Sequence, residues 1–223
     1  MGGLGKALAD RFDTHLTSTH ELWIRGQTSY TSGLVSLIRE IGSKPIVLVG
    51  WSMGGMIVLE TGFHHPELVS QLVLVNATAK FCSGNGYVSG VPVQHVRAMA
   101  LGLERDISTT MSRFYDQSDS PVSEHDSSMN DRLNKVRSLD IDELRDGLVY
   151  LQNTDLRDCL TKIPNPVLIF HGMEDKIIPW QAAQMLSRGL PVSNLSFINE
   201  IGHTLPIRKP LRIASEMMEF LET

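Results

Sequence analysis

The chain has 223 residues, 42% of them hydrophobic and 20% charged, which suits one domain with a sizeable core and excludes a disordered chain. Its net charge of −5 argues against a surface that tracks nucleic-acid phosphates. Cys82 and Cys159 are too few for a disulfide framework or a zinc site and read as free thiols in a reducing compartment. No apolar run approaches the roughly 20 residues of a membrane span. The start Met1-Gly2-Gly3-Leu4-Gly5-Lys6 lacks the layout of a signal peptide, so a cytoplasmic location without a membrane partner is expected.

The pattern along the chain alternates short β-branched runs with amphipathic helices, as in βαβ units around a parallel sheet. Lys6 to Phe12 reads as a helix, and a short strand is expected within Thr14 to Trp23. Thr31 to Ile41 is helical, with Leu34, Leu37, Ile38 and Ile41 on one face. Ile46 to Val49 is a buried strand, Met53 to His64 a helix, and Leu72 to Val75 another buried strand. From about Phe81 to Leu160 no buried-strand signal recurs. That stretch holds helical pieces at Val93 to Leu103, Ile107 to Tyr115, Ser127 to Leu133 and Ile141 to Leu151. A strand at Val167 to His171, a helix at Trp180 to Leu190, a strand at Leu195 to Ile198 and a helix at Leu211 to Leu221 complete the chain. The expected organisation is a core from residues 1–80 and 161–223, with residues 81–160 as a helical cap inserted between strands.

Three places combine reactive side chains with strand ends. Gly50-Trp51-Ser52-Met53-Gly54-Gly55 lies between a strand and a helix. A serine hydroxyl is a weak nucleophile until a base takes its proton and its backbone exposes it. A G-x-S-x-G turn supplies the exposure, and the helix behind it sets the Met53 N–H where an oxyanion would form. Gly172-Met173-Glu174-Asp175 follows the third buried strand; Asp175, further into the loop than Glu174, suits the carboxylate that fixes a histidine's tautomer. Gly202-His203-Thr204 lies between the last strand and the last helix.

Among eight histidines, His64 and His65 end a helix, and His15, His20, His95 and His125 lack strand-end context. His171, at a strand end, is the rival to His203, but it precedes the acid in chain order. Ser52, then Asp175, then His203 is the nucleophile–acid–base order of α/β-hydrolases. The plain alternatives are a glycine-rich turn with an incidental serine and a solvated acidic loop.

With these motifs the chain resembles the α/β-hydrolase superfamily from about Ala7 onward. More narrowly, it resembles the biotin-pathway esterases that demethylate pimeloyl-acyl-carrier-protein methyl ester. The narrower likeness rests on the Gly-Trp-Ser-Met-Gly-Gly elbow, Asn76-Ala77-Thr78, Phe81-Cys82, Arg97-Ala98-Met99, Arg113-Phe114-Tyr115, Gly147-Leu148 to Leu151, and Asp155-Leu156-Arg157 to Leu160. The resemblance implies a doubly wound, mostly parallel sheet, a cap over an apolar acyl channel, and ester attack by Ser52 with His203 as base. It also implies an acyl site lined by Phe114 and Tyr115, and an acyl-carrier protein partner met by Arg113, with no metal or organic cofactor. For Arg97 and Arg105 a solvated helix face is the simpler reading, and for the two aromatics plain cap packing is the alternative.

Relatives of this kind carry an earlier strand ending in a His-Gly-Trp-like loop that donates a second oxyanion N–H. Here Met1-Gly2-Gly3 falls about where that loop ends, and His20 to Gln27 stands where relatives place an Asp-x-Pro-Gly-x-Gly-like turn. Either the natural protein starts upstream of Met1, as the intact trio of Ser52, Asp175 and His203 favours, or the chain is a degenerate relative of weak activity.

Overall fold

In the computed structural model, which describes residues 1–27, 29–42, 44–84, 86–121 and 141–222, the apolar runs form one parallel sheet. Its strands are β1 (Ile46–Trp51), β2 (Val69–Val75), β3 (Val167–Gly172) and β4 (Ser193–Ile198), side by side in chain order. Parallel neighbours need crossovers, and helices supply them. Here α4 (Met53–His64) joins β1 to β2 and α8 (Trp180–Gly189) joins β3 to β4. Between β2 and β3 the chain leaves the sheet for α5 (Val93–Arg105), α6 (Ile107–Asp119) and α7 (Ile141–Asn153), returning through a 3-10 turn at Arg157–Lys162. The expected helix at residues 127–133, and His125, lie outside the described residues.

The period-two alternation of a strand sends successive side chains to opposite faces, and the runs are apolar on both. Leu72, Leu74, Val167 and Ile169 face α4, α8 and the helix α3 (Tyr30–Ile41), meeting Leu34, Ile38, Met56, Leu59 and Leu186. Val73, Val75, Leu168 and Phe170 face the other way. They pack on Ile213, Met217 and Phe220 of the last helix α9 (Pro210–Leu221) and on Leu4 and Leu8 of α1 (Gly2–Leu8). Helices on both faces make the sheet doubly wound, as expected.

Two expectations near the N-terminus are corrected. The strand within Thr14 to Trp23 is instead helix α2 (Thr19–Arg25): Ser18 caps it, its hydroxyl accepting from the Glu21 N–H at 3.2 Å, and Gly26 closes it. The first helix spans Gly2–Leu8 rather than Lys6 to Phe12, so its apolar Leu4 and Leu8 bury while Asp10, Arg11 and Asp13 stay exposed.

The strands also end together. Trp51 pairs with Val75, Val75 with Phe170, and Gly172 with Ile198, so the loops leaving the strands are gathered along the carboxyl edge of the sheet. Open α/β sheets place their ligand sites at that edge. Among the described residues no helix is long and apolar enough to cross a membrane.

Candidate active site

Ser52 occupies the tight bend between β1 and α4. Its φ of 56° and ψ of −124° lie outside the comfortable range of an L-residue. The posture is held by its own N–H donating to Val75 O at 3.0 Å and by Gly55 N–H donating back to Ser52 O at 2.9 Å. The flanking glycines make room unequally. A Cβ on Gly50 would sit 2.5 Å from Gly54 O, so only glycine fits, whereas a Cβ on Gly54 meets open space. Met53 opens α4, and its N–H is one of the helix's unsatisfied N-terminal donors next to the serine.

His203 and Asp175 reach this serine from two other loops. The Ser52 hydroxyl lies 2.9 Å from His203 Nε2, and His203 Nδ1 lies 2.8 Å from Asp175 Oδ2. An ionised carboxylate can only accept, so Nδ1 carries the imidazole proton and Nε2 is the acceptor facing the hydroxyl. The carboxylate is fully engaged: Oδ1 accepts from the N–H groups of Ile177 at 2.7 Å and Ile178 at 2.9 Å. Burial alone would raise Asp175, but His203, His171 and the Asn76 amide outweigh it and hold the carboxyl below its ordinary range.

Glu174, the competing acid, turns away from His203 and braces the loop, its carboxylate accepting from Ile201 N–H at 3.1 Å. His171, the rival base, is fully buried behind Asp175. Its Nε2–H donates to Ile178 O at 2.9 Å, and burial depresses its pKa although Asp175 opposes the shift.

Sequence reasoning assigned no individual role to two further neighbours. Asn76, directly after β2, donates from Nδ2 to Asp175 Oδ2 at 2.5 Å and to Gly202 O at 3.2 Å. Trp51 donates its indole N–H to His203 O at 2.9 Å. The signal was there for Asn76, a polar residue closing a buried strand just as Ser52 follows β1.

The inserted helices meet this edge at several points. Phe114 of α6 packs on Ile177, Ile178 and Ala182, against the loop that carries Asp175, and on the helices' own cluster of Val96, Leu103, Met111 and Leu148. Tyr115 packs within that cluster, its ring 5.9 Å from Phe114. Arg113, Arg97 and Arg105 are exposed. The Ser120 carbonyl, past the end of α6, lies where a Cβ on Gly202 would be only 2.0 Å away. On α7, Gly147 faces the side chain of Met53 and the Tyr30 hydroxyl, and the helix is fastened to α2 by His20 with Glu143 and by Trp23 Nε1–H donating to Asp146 Oδ2 at 3.0 Å. Burial first, then Glu143 and Asp146, pushes Tyr30 up to about 12, so its hydroxyl stays protonated. Among the described residues no cluster of His, Cys, Asp and Glu is placed to hold a metal.

A serine, imidazole and carboxylate in line at the carboxyl edge of a doubly wound sheet define a hydrolase scaffold, and comparison with known proteins agrees. Residues 34–210 match the α/β hydrolase fold family, and the chain belongs to it. It is an enzyme of that family with esterases among its relatives. A pimeloyl-[acyl-carrier protein] methyl ester esterase from Vibrio vulnificus is 29% identical over 184 residues, covering 81% of this chain and 72% of the relative. One from Nitrosospira multiformis is 27% identical over 231 residues, covering 98% and 88%. In solved structures the fold recurs in an esterase from Exiguobacterium antarcticum, with a TM-score of 0.81, 23% identity and coverage of 92% and 75%. It recurs too in a hydrolase from Oleispira antarctica, with a TM-score of 0.84, 15% identity and coverage of 100% and 85%.

Proposed function

We propose that this chain is a serine carboxylesterase that removes the methyl ester from a pimeloyl group borne on an acyl-carrier protein, a step of biotin synthesis. The observation that carries the chemistry is the unbroken line from Ser52 Oγ through His203 to Asp175, at 2.9 and 2.8 Å. The names of the relatives support the substrate.

In this reading His203 Nε2 takes the proton of Ser52 as Oγ bonds to the ester carbonyl carbon. The carbonyl oxygen gains the negative charge and is met by the Met53 N–H at the start of α4. Collapse breaks the bond to the methoxy oxygen, which takes the proton from His203 and leaves as methanol. Water then gives a proton to His203 and attacks the acyl-serine, releasing the free acid and restoring the hydroxyl. Asp175 stays ionised throughout and stabilises the imidazolium formed twice per cycle.

Residues 81–160 serve as the cap and residues 1–80 and 161–223 as the core. Phe114 and Tyr115 flank the acyl chain, and Arg113 meets the acidic carrier; such charge complementarity speeds encounter more than it tightens the complex. A cytoplasmic location fits this partner.

Two experiments test the reading. Hydrolysis of p-nitrophenyl butyrate falls at least about a thousandfold in Ser52→Ala with the melting temperature little changed. Equal activity of the two proteins would instead mean a module that binds acyl groups without cleaving them. Rescue of a biotin auxotroph lacking its demethylating esterase then tests the substrate; failure to rescue by an active enzyme would assign a different ester or thioester.

A further inference from the structure

Asn76 stands at the centre of the hydrogen-bonded line without belonging to it. It is fully buried, directly follows β2, and is anchored by its N–H donating to Phe170 O at 2.9 Å. Its φ is +48°, a left-handed value that asparagine tolerates better than most residues. From that posture one amide nitrogen reaches both the Asp175 carboxylate at 2.5 Å and the carbonyl of Gly202, the residue before His203, at 3.2 Å. The acid and the base come from different loops, after β3 and after β4, and this amide joins them.

We propose that Asn76 is a positioning residue for the hydrolysis, setting the angle at which Asp175 holds His203 and moderating how strongly the carboxylate retains the imidazole's proton. The inference rests on the reading of Ser52, His203 and Asp175 as the reacting trio.

The physical reason lies in sharing. A carboxylate that also accepts from an amide spreads its charge over two donors, and binds each less tightly than it would bind one. The other groups facing the pair do not substitute for the amide. His171 on β3 gives its proton to Ile178 O and stands 3.8 Å from Asp175 Oδ2. Glu174 engages the Ile201 N–H, the Ser120 carbonyl just past α6 faces Gly202, the Trp51 indole at the end of β1 donates to His203 O, and Ser52 just beyond it meets His203 Nε2. Without the amide, Asp175 would stabilise the imidazolium formed in turnover more strongly, and the acid limb of ester hydrolysis would lie at higher pH.

Two variants keep the left-handed backbone accessible while changing the side chain. Asn76→Gly removes the amide, and Asn76→Asp puts a second carboxylate in its place. The acid limb of kcat/KM, followed with p-nitrophenyl butyrate, moves to higher pH by about half a unit in Asn76→Gly and further in Asn76→Asp. At its own optimum Asn76→Gly loses about tenfold in kcat with KM within twofold of the wild type. A residue that merely supports the fold would lower the melting temperature and leave the pH limb where it was.

Should either variant fail to fold, the wild-type protein answers alone: the Asn76 side-chain amide resonances shift with pH in step with the acid limb of kcat/KM. Resonances that stay flat through the acid limb, or folded variants with an unmoved acid limb, overturn the proposal. A fluorophosphonate probe separates this failure from the broader one. Labelling of wild-type Ser52 with unshifted Asn76 variants sinks the positioning role alone, whereas no labelling and no ester hydrolysis by the wild type sinks both.

Discussion

The two loops that follow β3 and β4 and the helices α5, α6 and α7 inserted between β2 and β3 are built on opposite terms. In the loops the reacting groups are taken out of water: His203 and Asp175 are buried, as are their neighbours Asn76 after β2 and His171 on β3, and both oxygens of Asp175 are bonded twice. Such groups hold one arrangement, because losing a partner in a dry site costs more than the bond itself contributes. The inserted helices bury a small apolar cluster and leave Leu101, Val149 and the arginines at 97, 105 and 113 to solvent. Among the described residues they meet the core through Phe114 beside Ile177 and Ile178, the Ser120 carbonyl beside Gly202, two side-chain contacts between α7 and α2, Tyr150 Oη–H donating to Glu60 at 2.9 Å with its ring 5.4 Å from that of Tyr30, and Lys80 paired at 2.6 Å with Asp155, just past the helices. The difference teaches that reactive geometry is fixed on the sheet by buried hydrogen bonds, while the inserted helices join it through separate side-chain contacts.

The sharpest way to break this contrast is at a point where the two regions touch. Gly202→Ala would set a methyl 2.0 Å from the Ser120 carbonyl and 3.2 Å from Glu174 O, both backbone atoms. Either α6 or the His203 loop must retreat, and a displacement of about 1 Å at a reacting group costs on the order of a hundredfold in kcat. A variant with wild-type kcat would show that the loop is not held by α6. A smaller effect is expected at Phe114, which bridges the two regions. Phe114→Ala should lower kcat/KM about tenfold for long acyl esters and much less for acetate esters, because only a long chain reaches the vacated space. An equal loss on both would place the ring in the support of Asp175 rather than against substrate.

Smallest, and confined to the sheet side, is a dependence of stability on pH. Both His171 and Asp175 have folded pKa values below their ordinary 6.5 and 3.8. The unfolded chain therefore binds the proton more readily, and both contribute stability that is present at neutral pH and lost on acidification. The decline begins as pH falls below 6.5, where His171 must stay neutral, and deepens below 3.8 as Asp175 approaches its lowered value. Its slope is at most about 1.4 kcal/mol per pH unit for each proton. Thermal melts between pH 7.5 and 3.5 measure it, and His171→Gln should remove the upper part alone. A flat profile in the wild type would mean that neither group differs between the folded and unfolded chain.

Much of this was legible in the sequence because strands buried on both faces announce themselves as unbroken apolar runs. Ile46 to Val49, Leu72 to Val75 and Val167 to His171 all read this way, and the reactive candidates emerged from the residues just beyond such runs. The same rule pointed at Asn76. Its role stayed hidden because an amide's usefulness depends on which loop lies opposite, and parallel pairing of β2 with β3 is a long-range fact. The segment before α3 misled for a local reason. Thr14 to Trp23 holds enough threonine and apolar residues to suggest a strand, but Ser18 followed three residues later by Glu21 is a helix start, and the cap prevailed. Contacts of α7 with α2 and with Met53 could not be foreseen, since no spacing rule relates positions more than a hundred apart for His20 and Glu143 and nearly as many for Met53 and Gly147.

The cramped backbone at Ser52 has one last implication. Because the flanking hydrogen bonds to Val75 and from Gly55 impose that posture, it is assembled as the sheet and α4 come together, before any ester arrives. The effort of raising the hydroxyl above the rim therefore falls once in the life of the molecule, at folding. None of the affinity for an incoming acyl group has to be diverted to it at each turnover.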